Sequence, residues 1–189
     1  MKNYKISLAG DLGSGKSTVG RLLKERYSLE TVSIGKILRA MAAERGMDVT
    51  EFNVYMENHP EIDKELDDRL KAYENKNGRF LFDSRMAWHF VPSGFSVYMI
   101  TSPEIAAKRV LKDERNSERY DSFETAVEKL TERRKSEALR YNKFYGVDIT
   151  DMNNYDFVID SGSISPEEVF EKISAAFEKW LAEKEEKEN

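Results

Sequence analysis

Residues Gly10 to Thr18 read GDLGSGKST, and no other stretch of this chain limits its fold as tightly. Gly10, Gly15, Lys16 and Ser17 satisfy the spacing G-x-x-x-x-G-K-[ST] without mismatch. The apolar run Lys5 to Ala9 before it reads as a strand stopped by Gly10. Lys16 to Tyr27 after it reads as a helix with Val19, Leu22 and Leu23 on one face. A strand that turns through such a loop into a helix points backbone N–H groups into a concavity at the helix N-terminus, which makes an anion site. The glycines allow backbone angles and a close approach that side chains would obstruct. Lys16 can reach β- and γ-phosphates, and the Ser17 hydroxyl can ligate Mg²⁺. The expected nucleotide contacts are Gly10, Asp11, Leu12, Gly13, Ser14, Gly15, Lys16, Ser17 and Thr18, with ATP and Mg²⁺ as cofactors. A chance glycine-rich turn would match the same spacing; the strand before and the amphipathic helix after favour the phosphate site.

The rest of the chain alternates in kind. Thr31 to Ile34, Phe80 to Phe82, Ser96 to Thr101 and Phe157 to Ile159 read as further strands. Between them lie helical patterns over Gly35 to Gly46, Thr50 to Asn58, Glu61 to Asn75, from Pro103, and over Ser122 to Tyr145. A final helix opens at Ser165-Pro166-Glu167-Glu168, where serine and proline suit a helix start. Strands alternating with helices predict an α/β fold: a three-layer sandwich around a parallel sheet of about five strands, the P-loop NTPase plan. No linker or repeat interrupts it, so 1–189 is expected to be a single domain. The charged tail from Glu183 to Asn189 is expected to fray.

Composition excludes several classes. Among 189 residues there is no cysteine, which removes disulfides and thiolate metal sites and fits a reducing compartment. The net charge of -5 gives no basic field for nucleic acid. No apolar run approaches the roughly 20 residues of a membrane span. A cytoplasmic, monomeric protein acting on small nucleotides, with neither nucleic acid nor membrane as partner, is the expectation. His59 and His89 are the only histidines and lack metal-ligand spacing, so both are read as non-catalytic.

Phosphoryl transfer is mostly positioning and charge neutralisation, so it needs cations beyond the loop. Three groups could supply them. Arg39 lies one turn into the helix after Ser33-Ile34-Gly35. Arg85 follows Asp83 at the end of a strand, where ligand crevices form in open α/β sheets, and Asp83 can support Mg²⁺ through water. Arg133, Glu137 and Arg140 share one helix face, Arg133 and Arg140 about 10 Å apart at about 1.5 Å per residue. Each has a plainer reading: a solvated surface arginine, a structural ion pair, and an ordinary salt-bridged helix face. The loop favours the functional one because it requires such partners. The loop alone would also suit a kinase for another nucleotide or small metabolite, or a regulatory module that binds ATP without turnover.

The chain resembles the cytidylate kinases, particularly their short form. The resemblance rests on GDLGSGKST, on SIGKILR at Ser33 to Arg39, and on Asp83-Ser84-Arg85. Its most specific part is ERRKSEALRYNKFYGVDITD from Glu132 to Asp151, followed by YDFVIDSGSISPEEV from Tyr155 to Val169. The resemblance implies transfer of the ATP γ-phosphoryl group to CMP or dCMP. It implies that Ser33, Gly35, Arg39, Asp83 and Arg85 line the acceptor site and that Glu137 reaches the acceptor sugar. Arg133 and Arg140 would act with Lys16 on the transferring group from a lid at about 112–145, beside acceptor-binding helices at about 35–75. Arg109 would lie near adenine, whose edge the Ser161-Gly162-Ser163 loop would meet. Longer bacterial relatives carry a second acid after the arginine that helps select cytosine; here that position is Met86.

Overall fold

The computed structural model describes residues 3–47, 51–52, 55–56, 59, 61–112 and 120–188, without the side chains of Lys36, Arg140 and Glu188. Five parallel strands form one sheet: β1 (Tyr4–Gly10), β2 (Glu30–Ser33), β3 (Arg79–Asp83), β4 (Phe95–Ile100) and β5 (Phe157–Asp160). Their order is β2-β3-β1-β4-β5. β1 is therefore central, and its loop emerges between β3 and β4, where the connections diverge to opposite sides. Register pairs Leu8 with Asp83 on one side and Gly10 with Met99 on the other.

The helices are α1 (Lys16–Tyr27), α2 (Ile34–Glu44), α3 (Glu61–Lys71), α4 (Ala87–Phe90), α5 (Pro103–Lys112), α6 (Phe123–Tyr145) and α7 (Pro166–Glu188), numbered over the described residues. Both sheet faces are covered. On one face, Ile6, Leu8, Val97 and Met99 meet Val19 and Leu23 of α1 and Ile173 and Phe177 of α7. Phe177 is fully buried, and its truncation to alanine would cost about 3–5 kcal/mol. On the other face, Phe80 and Phe82 pack with α4 and with the C-terminal half of α6 through Tyr141 and Tyr145. These tyrosines are packing residues; Tyr145 donates its hydroxyl to Asp67 at 3.2 Å. The three-layer α/β sandwich is as expected.

Local chemistry sets the long helices. Ser122 caps α6 by accepting from the Thr125 N–H, and Gly146 at φ 67° ends it by donating to the Asn142 carbonyl. At the start of α7, the Ser165 hydroxyl accepts from the Glu168 N–H while Glu168 accepts from the Ser165 N–H, a reciprocal box. One expectation changes. α7 does not fray at Glu183 but runs to Glu188, held by Lys184, which donates to the Ser93 carbonyl at 2.9 Å and lies over Trp180. A short helix, α4, follows Arg85, too brief to show a period. The expected helix at Thr50 to Asn58 falls largely outside the described residues, although 51–52 and 55–56 are helical.

Candidate active site

Gly10 closes β1 with φ 145°, and a Cβ there would collide with the Met99 carbonyl of the neighbouring strand. Only glycine lets the chain leave the sheet this close to β4. Gly15 then sits at φ 88° and starts α1 with no side-chain cap. The first N–H groups of α1 therefore open toward the cleft.

The cleft over this loop has a volume of about 860 Å³, and Leu12 through Thr18, Asp83, Arg85, Arg109, Arg133 and Ser161 line it. Sequence-distant groups thus lie around the loop. Lys16 lies against the loop, donating to the Gly10 carbonyl at 2.8 Å and the Asp11 carbonyl at 2.6 Å. Burial, then the nearby Arg85 cation, pushes its ammonium from 10.5 down to about 8, against the opposing pull of Asp83, Asp11 and Glu137. That difference disfavours the ammonium by roughly 3 kcal/mol. An anion delivered to the loop would reverse it.

Opposite the loop, the cations are already paired. Arg85 contacts Glu137 at 2.9 Å, and Arg133 contacts the other Glu137 oxygen at 3.2 Å. Glu137 is largely buried, with 14% of its side chain exposed, so it bridges β3 and α6 in a partly desolvated setting. The salt-bridged face of the plainer reading is therefore present, and it lies at the cleft. Arg109 donates to the carbonyls of Gly13, at 3.1 Å, and Ser161, at 2.7 Å. It joins the loop to the segment after β5. Ser161 reinforces that junction by donating to the Ser14 carbonyl at 2.8 Å.

Ser33, Gly35 and Arg39 are not brought to this cleft; the Arg39 guanidinium folds back over Gly35 toward Ser33. The Arg140 side chain lies outside the described residues. Neither histidine lines the cleft: His59 stacks on Tyr55 and pairs with Glu61 at 2.7 Å, and His89 lies edge-on to Trp88. Among the described residues no group of three His, Cys, Asp or Glu could hold a metal ion.

Asp11 does not line this cleft. Its N–H is spent on the Met99 carbonyl at 3.0 Å, and its carboxylate turns away from the cleft. Oδ1 accepts from the Tyr98 hydroxyl at 2.9 Å and faces Arg134 Nε at 3.3 Å, while Oδ2 accepts from the Thr101 N–H at 3.0 Å. Sequence reasoning overlooked Arg134, although an acid inside an anion-binding loop was a signal that a cation should neutralise it. It also overlooked Tyr120, Val110, Ile164 and Pro166, which add the less polar part of the cleft wall.

A phosphate loop at the head of the central strand, in a parallel sheet of this order, with arginines across the cleft, defines a P-loop kinase. The family described as "AAA domain" matches residues 6–140. Cytidylate kinase of Methanosarcina mazei is 41% identical over 157 residues, covering 83% of this chain and 87% of that protein. Cytidylate kinase of Pyrococcus horikoshii is 36% identical and covers 92% of this chain and 88% of its own. The chain belongs to the cytidylate kinase family. In fold it is similar to shikimate kinase from Bacteroides thetaiotaomicron, with a TM-score of 0.66 at 12% identity over 94% of this chain and 99% of that one. Among the described residues, no helix is long and apolar enough to cross a membrane.

Proposed function

We propose that this protein transfers the γ-phosphoryl group of ATP to CMP or dCMP, giving ADP and the nucleoside diphosphate. One observation carries the reading: Arg85 and Arg133 share the cleft of the phosphate loop, from strand and helix positions far apart in sequence. A site that only held ATP has no need of a second cationic wall.

The loop N–H groups and Lys16 hold the donor phosphates. Incoming phosphate draws Lys16 off the Gly10 and Asp11 carbonyls and favours its protonated form, so the charge is supplied where negative charge accumulates. Arg85 binds the acceptor phosphate, assisted by Arg39 once the α2 side approaches. Arg133 and Arg140, on α6, close over the transferring group, so the segment at about 112–145 serves as the lid and 35–75 as the acceptor-binding region of one domain. For this to happen Glu137 must exchange part of its pairing with Arg85 and Arg133 for a sugar hydroxyl. Arg109, with Ser161 and Gly162, borders the adenine end, where Ile164 and Pro166 provide apolar wall.

Ser17 and Asp83 suit Mg²⁺: both line the cleft and carry side-chain oxygens. So few protein ligands match a cation that keeps several waters and binds through one or two side chains plus substrate phosphates. When bound, the ion neutralises phosphate charge. The same reading has the protein as a cytoplasmic monomer.

An acceptor panel tests the proposal. ADP release with CMP, dCMP, UMP, AMP and GMP should be fastest with CMP or dCMP. Inactivity with every pyrimidine acceptor would reject the assignment.

A further inference from the structure

Beside the phosphate cleft lies a second cavity of about 310 Å³, between the back of the loop, β4 and α6. Asp11, Tyr98, Thr101 and Arg134 all line it. Asp11 is held here on every side. Only 8% of its side chain is exposed, and both carboxylate oxygens have donors. Tyr98 stays a donor, because burial and then the adjacent Asp11 charge raise its hydroxyl well above the usual value. Arg134, by contrast, has 43% of its side chain exposed and reaches Asp11 from α6. A buried carboxylate tied to the sheet thus meets a cation on the helix that crosses above it.

The position of Arg134 makes this pair consequential. It follows Arg133, which lines the phosphate cleft, and precedes Glu137, which pairs with Arg85. Successive helical residues are turned by about 100°, so Arg133 faces the phosphate cleft while Arg134, with Glu137, lines the second cavity at the back of the loop. Asp11 also supplies, through its backbone carbonyl, the resting contact of Lys16.

We infer that the Asp11–Arg134 ion pair is a positioning device: it seats α6 on the phosphate loop in the rotation that delivers Arg133 to the cleft and Glu137 to Arg85. Neither residue touches substrate. This inference rests on the reading of α6 as the helix that presents arginines to the transferring group. The competing role for Arg134 is as a direct phosphate ligand, and the two make opposite predictions.

Amide hydrogen exchange on ligand-free protein is the first test, with wild type, Arg134→Met and Asp11→Asn. A seating role predicts faster exchange over 123–137 in Arg134→Met, with α7 at 166–188 unchanged. A direct ligand predicts no change in the absence of nucleotide, and that result overturns the inference. The second test is a double-mutant cycle on turnover with the best acceptor. Each single substitution should lower kcat about tenfold, as misplacement of catalytic groups does, with the ATP KM within about twofold. The double variant should be no worse than the worse single. Multiplying losses, or an unchanged kcat in Arg134→Met, would refute the pairing. If Asp11→Asn does not fold, the Arg134→Met exchange result decides alone. Exchange reads the ligand-free protein, so its failure counts against the ion pair, whereas a wild type inactive toward CMP and dCMP counts against the kinase assignment.

Discussion

The two walls of the cleft are built in opposite ways. The proposed donor wall is one uninterrupted run, Leu12 to Thr18, whose backbone is set by the geometry of Gly10 and Gly15. The opposing wall is assembled from β3 and α6, and its groups are long side chains engaged with one another through Glu137. On the proposed reading, the first wall would receive phosphate by releasing one lysine from two carbonyls. The second must break ion pairs before it can bind an anion. On the proposed reading, preorganisation would belong to the donor side and adjustability to the acceptor side.

The largest expected effect breaks the donor wall. Lys16→Ala should lower kcat by about 10²–10³-fold, the scale on which electrostatic stabilisation of a transition state is lost. Its melting temperature should not fall, since burial already disfavours the ammonium. Wild-type turnover in this variant would sink the mechanism. A smaller effect separates the walls: Arg85→Met should reduce kcat/KM for the acceptor about tenfold to a hundredfold and leave the ATP KM within about twofold. Initial rates with each substrate varied in turn would show it. An equal rise in both KM values would mean that the walls are not independent.

The smallest effect is in pH. The Lys16 ammonium is pushed down to about 8 in the free protein, and bound phosphates favour it. ATP binding therefore takes up a proton above that pH, and affinity should fall by up to about tenfold per pH unit as pH rises from 8 toward 10. Arginines do not titrate in that window, so the acceptor KM should stay comparatively flat. Titration calorimetry of ATP at pH 7.5, 8.5 and 9.5 measures it; a flat ATP affinity would contradict it. Stability runs the opposite way: the unfolded lysine keeps its proton up to about 10.5, so the penalty for burying Lys16 is relieved, and stability rises, as pH goes from about 8 to 10.5.

The contrast between the walls also explains what the sequence revealed. The phosphate loop was legible because its function depends on consecutive residues, and α6 because a long helical pattern runs from Ser122 to Tyr145. Arg133 and Glu137 could be paired from their spacing. That Glu137 also holds Arg85 could not, because the contact joins a strand end to a helix across the cleft. Helical spacing gives a face, not a reach, so Arg39 could not be excluded from the cleft. Asp11 looked like part of the anion site because it lies within the motif, yet its orientation depends on Tyr98, Thr101 and Arg134, 87 to 123 residues away by number. Met86, which stands in place of an acid, is 4% exposed and packed with Phe82 and Phe90. Its neighbourhood is core, and base selection has to be sought among other side chains.

The missing side-chain cap at Gly15 has a further consequence. A helix start without a cap forgoes about 1 kcal/mol that serine or aspartate would have contributed. Whatever phosphate occupies the loop completes that turn and becomes, thermodynamically, part of the fold. ATP and ADP would then both raise the melting temperature, each according to its free concentration over its dissociation constant. In a cell the lifetime of the folded chain would track the adenine nucleotide supply, so starvation would thin out the enzyme as well as its substrate.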